Sequence, residues 1–457
     1  MSALPRQRWL GALATVLAAI TAMTLSIGSV AAVEPFTFGA PSATSSWGVG
    51  LTFKQPADLH ERPKRVEILV EFPGAPGPQA IEVPAPTGDQ ATLSYSVPIA
   101  EGGLQPNTRL TARWRITAQD GTPTVGPRAA VTYADTRFDW KTRSGDVVRI
   151  HWYEGSEAFG RRALDIGERA VRETSKLLGV TETEPIDVFV YASQSAFGDV
   201  LGPASRENVG GQANAEIRTL FALIEPNEID QPWVDVVVPH ELTHLVFDTA
   251  VENPYHFPPR WLNEGLAVYL SEAYSGSYRG AVEDAARDGS LVPLGGLSGQ
   301  FPTTRDRFLL AYGESVSAVD YFIRTYGRDA LVSLIKSYAR GLTDDEAFSE
   351  AVGIDATAFD EAWRKDLDAK EPVAYGPKPA PAGPLPEGWS ASGPPVVPGG
   401  GAAGSAGPGS PSAPEPSPGS GPQAPLGVLA VLVVAVIAIA VMAASVRRRN
   451  RRGGGAR

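Results

Sequence analysis

His240-Glu241-Leu242-Thr243-His244 and, after sixteen intervening residues, Trp261-Leu262-Asn263-Glu264-Gly265 decide how this chain of 457 residues reads. A helix turns about 100° per residue, so side chains four apart share a face, and His240 and His244 can put two imidazole nitrogens on one metal ion. Glu241, one step round, points at the water such a metal would hold. Catalytic zinc takes three protein ligands and keeps a fourth position open, and a carboxylate from a second helix is the usual complement to two histidines. Glu264 is placed to be that ligand. The expected cofactor is therefore Zn2+, with Glu241 as general base for an attacking water.

The pattern resembles the gluzincin branch of the zinc peptidases, and most specifically the bacterial peptidase MA-like domains of the thermolysin and aminopeptidase type. Trp261-Leu262-Asn263-Glu264-Gly265-Leu266-Ala267 matches the stretch around their glutamate ligand, and Ala311-Tyr312-Gly313-Glu314-Ser315 stands where related domains carry an A-Y-x-x-S helix. Carried over position by position, the resemblance implies zinc on His240, His244 and Glu264, with Glu241 as the catalytic base. Related enzymes add a phenol or imidazole donor to the oxyanion, and Tyr312 is the candidate, with plain packing in an apolar helix as the alternative. Aminopeptidases of this branch also carry G-x-M-E-N on the strand before the zinc helix. Here that region reads Gly210-Gly211-Gln212-Ala213-Asn214-Ala215-Glu216, so the Met-Glu-Asn is absent. Glu216 is left as a possible amine contact, and endopeptidase or aminopeptidase action stays open. No third histidine follows His244 in metzincin spacing.

The ends of the chain read as topology. Arg6 and Arg8 precede an apolar run from Trp9 to Val33 that ends in Ser29-Val30-Ala31-Ala32, the layout of a secretory signal over residues 1–32, with an uncleaved anchor as the alternative. Leu426 to Val446 carries no charge. At about 1.5 Å per residue it spans roughly 32 Å, which predicts a transmembrane helix over residues 425–446. Arg447-Arg448-Arg449-Asn450-Arg451-Arg452 follows at once, so the basic tail at 447–457 is expected in the cytoplasm and all that precedes the helix outside. Residues 373–424 are almost entirely Pro, Gly, Ser and Ala and predict a semi-extended stalk. The chain has no cysteine, which excludes disulfides and a thiolate metal site, and its net charge of -11 argues against nucleic acid as a partner.

Between the termini two folded units are expected. Residues 34–136 alternate as strands, with Trp47, Val49, Leu51 and Phe53 on one face and Leu110, Ala112, Trp114 and Ile116 on another, and Asp120-Gly121 gives a turn. That predicts an antiparallel β-sandwich of immunoglobulin or fibronectin type, serving for spacing or docking. Residues 137–372 predict the zincin-like metallopeptidase domain, so the fold class is α+β: a small β-sheet plus helices behind a sandwich. Strands are expected over Val147 to Tyr153, Pro185 to Tyr191 and Arg218 to Ile224, with a helix from Glu157 to Leu178 between the first two. By the resemblance, Arg218 to Ile224 is the sheet edge that pairs with extended substrate. Pro239 means that the zinc helix either starts there or starts near Trp233 and kinks. Pro254 to Pro259 reads as a loop, and further helices as Trp261 to Ala273, Leu310 to Arg324, Asp329 to Tyr338, Asp344 to Val352 and Ala356 to Leu367. Asn263 is either a support for Glu264 or a helix-start residue. His256 is either a substrate contact or an exposed loop residue, while His151 belongs to the sheet and His60 to the surface.

The leading expectation is a membrane-anchored extracellular zinc metallopeptidase acting on a peptide or protein. The alternative is a surface binding or adhesion protein with a structural or inactive zincin domain. An intramembrane protease is excluded, because Trp233 to Phe247 is short and carries Asp235, Glu241 and two histidines.

Overall fold

The computed structural model describes residues 34–99, 103–201, 210–253 and 257–371. The expected signal segment, the transmembrane helix, the stalk, the basic tail and His256 lie outside these residues. Among the described residues no helix is long and apolar enough to cross a membrane.

The amino-terminal unit is two antiparallel sheets face to face. In the first, β3 (Gly50–Leu59) takes β1 (Phe36–Phe38) and β2 (Ser42–Ser46) on one side and β6 (Gln90–Pro98) on the other. In the second, β5 (Gln79–Val83), β4 (Arg65–Glu71) and β7 (Arg109–Thr117) lie in that order, and β8 (Pro123–Val125) and β9 (Ala129–Thr132) share the far side of β7. The period-two pattern places Leu51, Phe53, Val66, Ile68, Leu110, Trp114 and Ile116 between the sheets. One member of the expected apolar face, Val49, falls elsewhere. The turn through Gly48 and Gly50, both at positive φ, ends the alternation before β3 and leaves Val49 69% exposed, while Trp47 packs against this core, stacked on Tyr133.

The second unit has one mixed sheet of β10 (Lys141–Ser144), β11 (Val148–Trp152), β12 (Ile186–Tyr191), β14 (Thr219–Leu223) and β13 (Gly211–Asn214), in that spatial order. β11, β12 and β14 are mutually parallel, and the two outer strands run antiparallel to their neighbours. This corrects one expectation: β14 is internal, and β13 is the edge. Thr219-Leu220-Phe221-Ala222 is buried along its whole length, as an inner strand covered on both faces must be, whereas Gly211-Gln212-Ala213-Asn214, within the region set against the aminopeptidase strand motif, has weak strand propensity of its own.

Helix α1 (Glu157–Leu178), capped by the Ser156 side chain and closed by Gly179 in the left-handed region, crosses from β11 to β12. α2 (Gln194–Leu201) follows β12. α3 (Val234–Val251) contains Pro239 in its interior, so the helix starts at Trp233 and not at the proline. The rest is helical: α4 (Arg260–Glu272), α5 (Gly276–Asp288), α6 (Arg305–Tyr326), α7 (Arg328–Ala339), α8 (Asp344–Val352) and α9 (Ala356–Asp366), with a short 3₁₀ turn at Leu294–Leu297. α6 begins a turn and a half earlier than its apolar period suggested, and α5 was not anticipated. One apolar core joins sheet and helices, with Leu242, Leu245, Leu262, Leu266, Val316 and Phe322 fully or almost fully buried.

Candidate metal centre and its surroundings

α3 is the spine of the site. It buries His240, Glu241 and His244 to 2% exposure or less. The two Nε2 atoms face each other at 3.2 Å, and Glu264 Oε2, from α4, stands 3.6 Å from each. Among the described residues these three form the one group of histidine and acidic side chains spaced to hold a metal ion. The donor set fits zinc. Tetrahedral ligand atoms about 2.0–2.1 Å from an ion lie about 3.3 Å from one another, which is the spacing found. Glu264 Oε2 is buried without a hydrogen-bond partner, as is Glu241 Oε1. Two buried carboxylate oxygens left open at the same place are costly unless a cation or water completes them.

Neighbouring side chains fix each ligand. Asn263 Oδ1 lies 2.8 Å from His244 Nδ1, so that nitrogen carries the proton and donates it, leaving the Nε2 lone pair free for metal. Asn263 is the fourth residue of α4, inside the helix, so its role is this bond and not a helix start. Arg260, one turn before Glu264, reaches Glu264 Oε1 with both Nε and Nη2 at 3.1 Å, and its guanidinium lies 4.6 Å over the Phe301 ring. Sequence reasoning missed Arg260, although the i,i+4 spacing of an arginine before a glutamate was there to be seen.

Charge follows geometry. Burial and the His240 and Arg260 charges push the His244 imidazole down to about 4, so it is neutral at pH 7, although the Glu264 charge and the Asn263 bond pull the other way. Burial drives Glu264 up, but His240, His244 and Arg260 outweigh it and hold the carboxylate below its ordinary range. Glu241 goes well above that range, through burial and then the Glu264 charge, opposed by one backbone N–H. That N–H belongs to Ala213, which donates to Glu241 Oε2 at 3.1 Å.

The strand edge is aimed at the site. Leu223 N donates to Gly210 O, so Gly210, Gln212 and Asn214 face β14 and the backbone groups of Gly211 and Ala213 point outward. Gly211 is needed here, since a Cβ would stand 2.9 Å from Glu241 Cγ. Gly265 serves the other wall: a Cβ there would stand 2.4 Å from Ser315 O, so α4 rests directly on the α6 backbone.

Tyr312, on α6, is 1% exposed with its ring 6.5 Å from His240. It is packed against Phe301 and Phe308, at 5.3 and 5.1 Å, and its hydroxyl hydrogen-bonds Glu264. The packing given as the alternative reading of Tyr312 is present, and its hydroxyl stands at Glu264. Burial and the Glu264 charge raise this phenol far above its usual range, so it stays protonated. Glu216 lies outside the cluster, beyond the end of β13, with its carboxyl against Gly74 of the sandwich. His151 is on β11, bonded to Asp187 Oδ1 at 2.7 Å, and His60 is exposed.

Comparison with known proteins finds one family model that matches within the second unit. The family model described as the peptidase MA superfamily matches residues 167–369, which include every member of the cluster. No curated protein matches the chain. Among solved structures, an M1 zinc metallopeptidase from Deinococcus radiodurans is 14% identical, covering 77% of this chain and 97% of its own, with a TM-score of 0.35. An aminopeptidase N family protein from Idiomarina loihiensis is 10% identical, covering 74% and 77%, with a TM-score of 0.38.

Proposed function

Residues 167–369 being a domain of the peptidase MA superfamily, and the chain therefore a zinc-dependent metallopeptidase, we propose that it hydrolyses peptide bonds with Glu241 as general base and acts outside the cell on a membrane tether. The observation that carries the catalytic part is the pairing of a buried His240–His244–Glu264 cluster with a fourth buried group, Glu241, whose Oε1 has no partner. A purely structural metal site has no use for that carboxylate, which disfavours a role in binding alone.

The site residues would be His240 and His244 through Nε2 and Glu264 through Oε2. When bound, zinc supplies a Lewis acid that lets water ionise near neutral pH and draws charge from a carbonyl oxygen. The chain's own groups do the rest. Glu241 Oε2 is pinned by the Ala213 N–H, which leaves Oε1 to take the proton of the attacking water and to return it to the departing amine. Tyr312, held as a phenol, would donate to the oxygen that becomes negative by turning its single O–H away from Glu264. An extended peptide runs along β13 and pairs with the outward backbone groups of Gly211 and Ala213.

The tether rests on the sequence of the termini: an apolar amino-terminal segment with a small-residue cleavage site, a Pro/Gly/Ser/Ala stalk, an uncharged run from Leu426 to Val446 and the arginines that follow. The test of activity is to incubate the zinc-loaded full-length chain with a mixed peptide library and read new termini by mass spectrometry, beside Glu241→Gln. Cleavage that the variant loses supports the assignment and separates internal cutting from end trimming. Peptides left intact by a zinc-bound wild type would sink it.

A further inference from the structure

Glu272, the last residue of α4, is placed against every local preference. The carbonyl end of a helix carries partial negative charge and favours cations, yet the last turn of α4 has no basic residue and ends on a carboxylate. The next residue, Ala273, has φ 59 and ψ -178, a conformation that essentially only glycine adopts without strain. Glu272 is only partly exposed, and burial raises its carboxyl above the ordinary range. Among the described residues its one hydrogen-bond partner is Tyr278, whose hydroxyl donates to Glu272 Oε1 at 3.0 Å, and it has no ion pair there. A carboxylate held in this way, by strain on one side and a buried phenol on the other, is set up to meet a cation that the chain does not supply.

Its position says which cation. Glu272 lies two helical turns from Glu264 on the same helix, about 12 Å along the axis, the length of three or four extended residues. Its carboxyl is close enough to His240 to be influenced by that side chain. Tyr278 in turn packs beside Gly313, the neighbour of Tyr312. Resting on the peptidase reading above, we propose that Glu272, oriented by Tyr278, is a specificity subsite for a substrate ammonium or guanidinium group within about four residues of the cleaved bond. The favoured substrates are peptides with a basic residue at a fixed place, and Glu272 binds that residue without taking part in the bond-breaking step.

The test uses the full-length chain and a blocked octapeptide series in which lysine, or norleucine of similar size, is walked through each position. A copy with a free amino terminus separates side-chain from terminal ammonium. Binding is measured first, by anisotropy on the zinc-loaded Glu241→Gln protein, which reports on the subsite without turnover. Lysine at one register should bind about tenfold more tightly than norleucine. That ratio should fall to about one when Glu272→Gln is added and favour glutamate peptides with Glu272→Lys. In the active enzyme the same ratio should collapse in kcat/KM. Glu272→Gln should also raise Tm, because it removes a charge from the wrong end of a helix, so a lost preference cannot be put down to misfolding. Equal binding of lysine and norleucine peptides, or a lysine preference that survives Glu272→Gln, overturns the proposal. Cation-selective binding by a wild type that cuts no peptide would uphold the subsite while sinking the peptidase reading.

Discussion

Replacing Gly265 by alanine tests whether the close approach of α4 to α6 sets the metal centre. The added methyl would stand 2.4 Å from Ser315 O, 2.6 Å from Ser315 C and 2.9 Å from Val319 Cγ2. Ordinary contact begins near 3.4 Å, so the helices must part by about 1 Å, and the nearest atoms are backbone, which cannot rotate away. Overpacking of this kind costs about 1–3 kcal/mol. The gain in helix propensity from glycine to alanine returns roughly 1 kcal/mol, for a net loss of up to about 2 kcal/mol. At roughly 2–4 °C per kcal/mol for a domain of this size, Tm of the metal-free protein should fall by up to about 8 °C. The larger effect is on zinc. Glu264 immediately precedes the residue that moves, and ligand distances tolerate only about 0.2 Å, so zinc affinity measured by chelator competition should drop at least about tenfold. A Gly265→Ala protein that matched wild type in both Tm and zinc affinity would refute the idea that this contact positions Glu264.

Asn263→Ala removes the acceptor that fixes the His244 ring, and zinc affinity by the same competition should fall about 10–100-fold; an unchanged value would mean that the bond does not orient the ligand. For pH, His244 is held at about 4 in the folded chain against 6.5 for the free side chain, so the unfolded chain takes up the proton first. The stability this confers is complete above about pH 6.5 and is lost as pH falls through about 4, on the order of 3 kcal/mol in all. Urea unfolding of the metal-free protein at pH 7 and pH 4 should show that loss, and His244→Leu should lack it. Asn107→Ala removes two bonds between the units, one to the Asp187 carboxylate and one to Thr219, and should cost about 2–4 kcal/mol. A denaturation curve unchanged in midpoint would count against that contact.

The residues that bear on the metal were legible because their chemistry forces a spacing. Two histidines one turn apart with a glutamate between them mean the same thing on any helix, and Glu264 came with its own flanking Trp261 and Gly265. What failed to show was set by tertiary context. The run from Thr219 to Leu223 looked like a substrate-facing edge because it precedes the zinc helix, yet a stretch apolar on both faces belongs inside a sheet. The true edge, Gly211 to Asn214, owes its strand to its neighbours rather than to its composition. α5 was invisible because Gly276, Gly280 and a polar surface dilute its period, while Tyr278 and Val282 with the small Ala285 and Ala286 anchor it. Arg260 stands four residues before Glu264, but spacing alone does not say which arginine–glutamate pairs turn inward.

An edge strand of four residues with two small side chains should be pliable, yet the proposed mechanism needs the Ala213 N–H to hold Glu241 in place. The sandwich answers that need. Asn214, Thr219 and Asp187 are partners across β13, β14 and β12, and Arg149 of β11 pairs with Asp187 in the same row. The Leu104 to Thr108 segment of the sandwich grips this row: Asn214 donates to Gln105 Oε1 at 2.8 Å, and Asn107 donates to Asp187 and to Thr219 at 3.0 and 2.9 Å. Asn107 does so at φ 73, in the left-handed region where asparagine is tolerated and most residues are not. With β14 bonded along one side of β13, Gln105 on Asn214 and Glu241 on Ala213, the strand is held along its length and pinned at its Asn214 end. The first unit therefore acts on the site through the sheet face opposite α3, and loosening it should misplace the base before it disturbs the metal ligands.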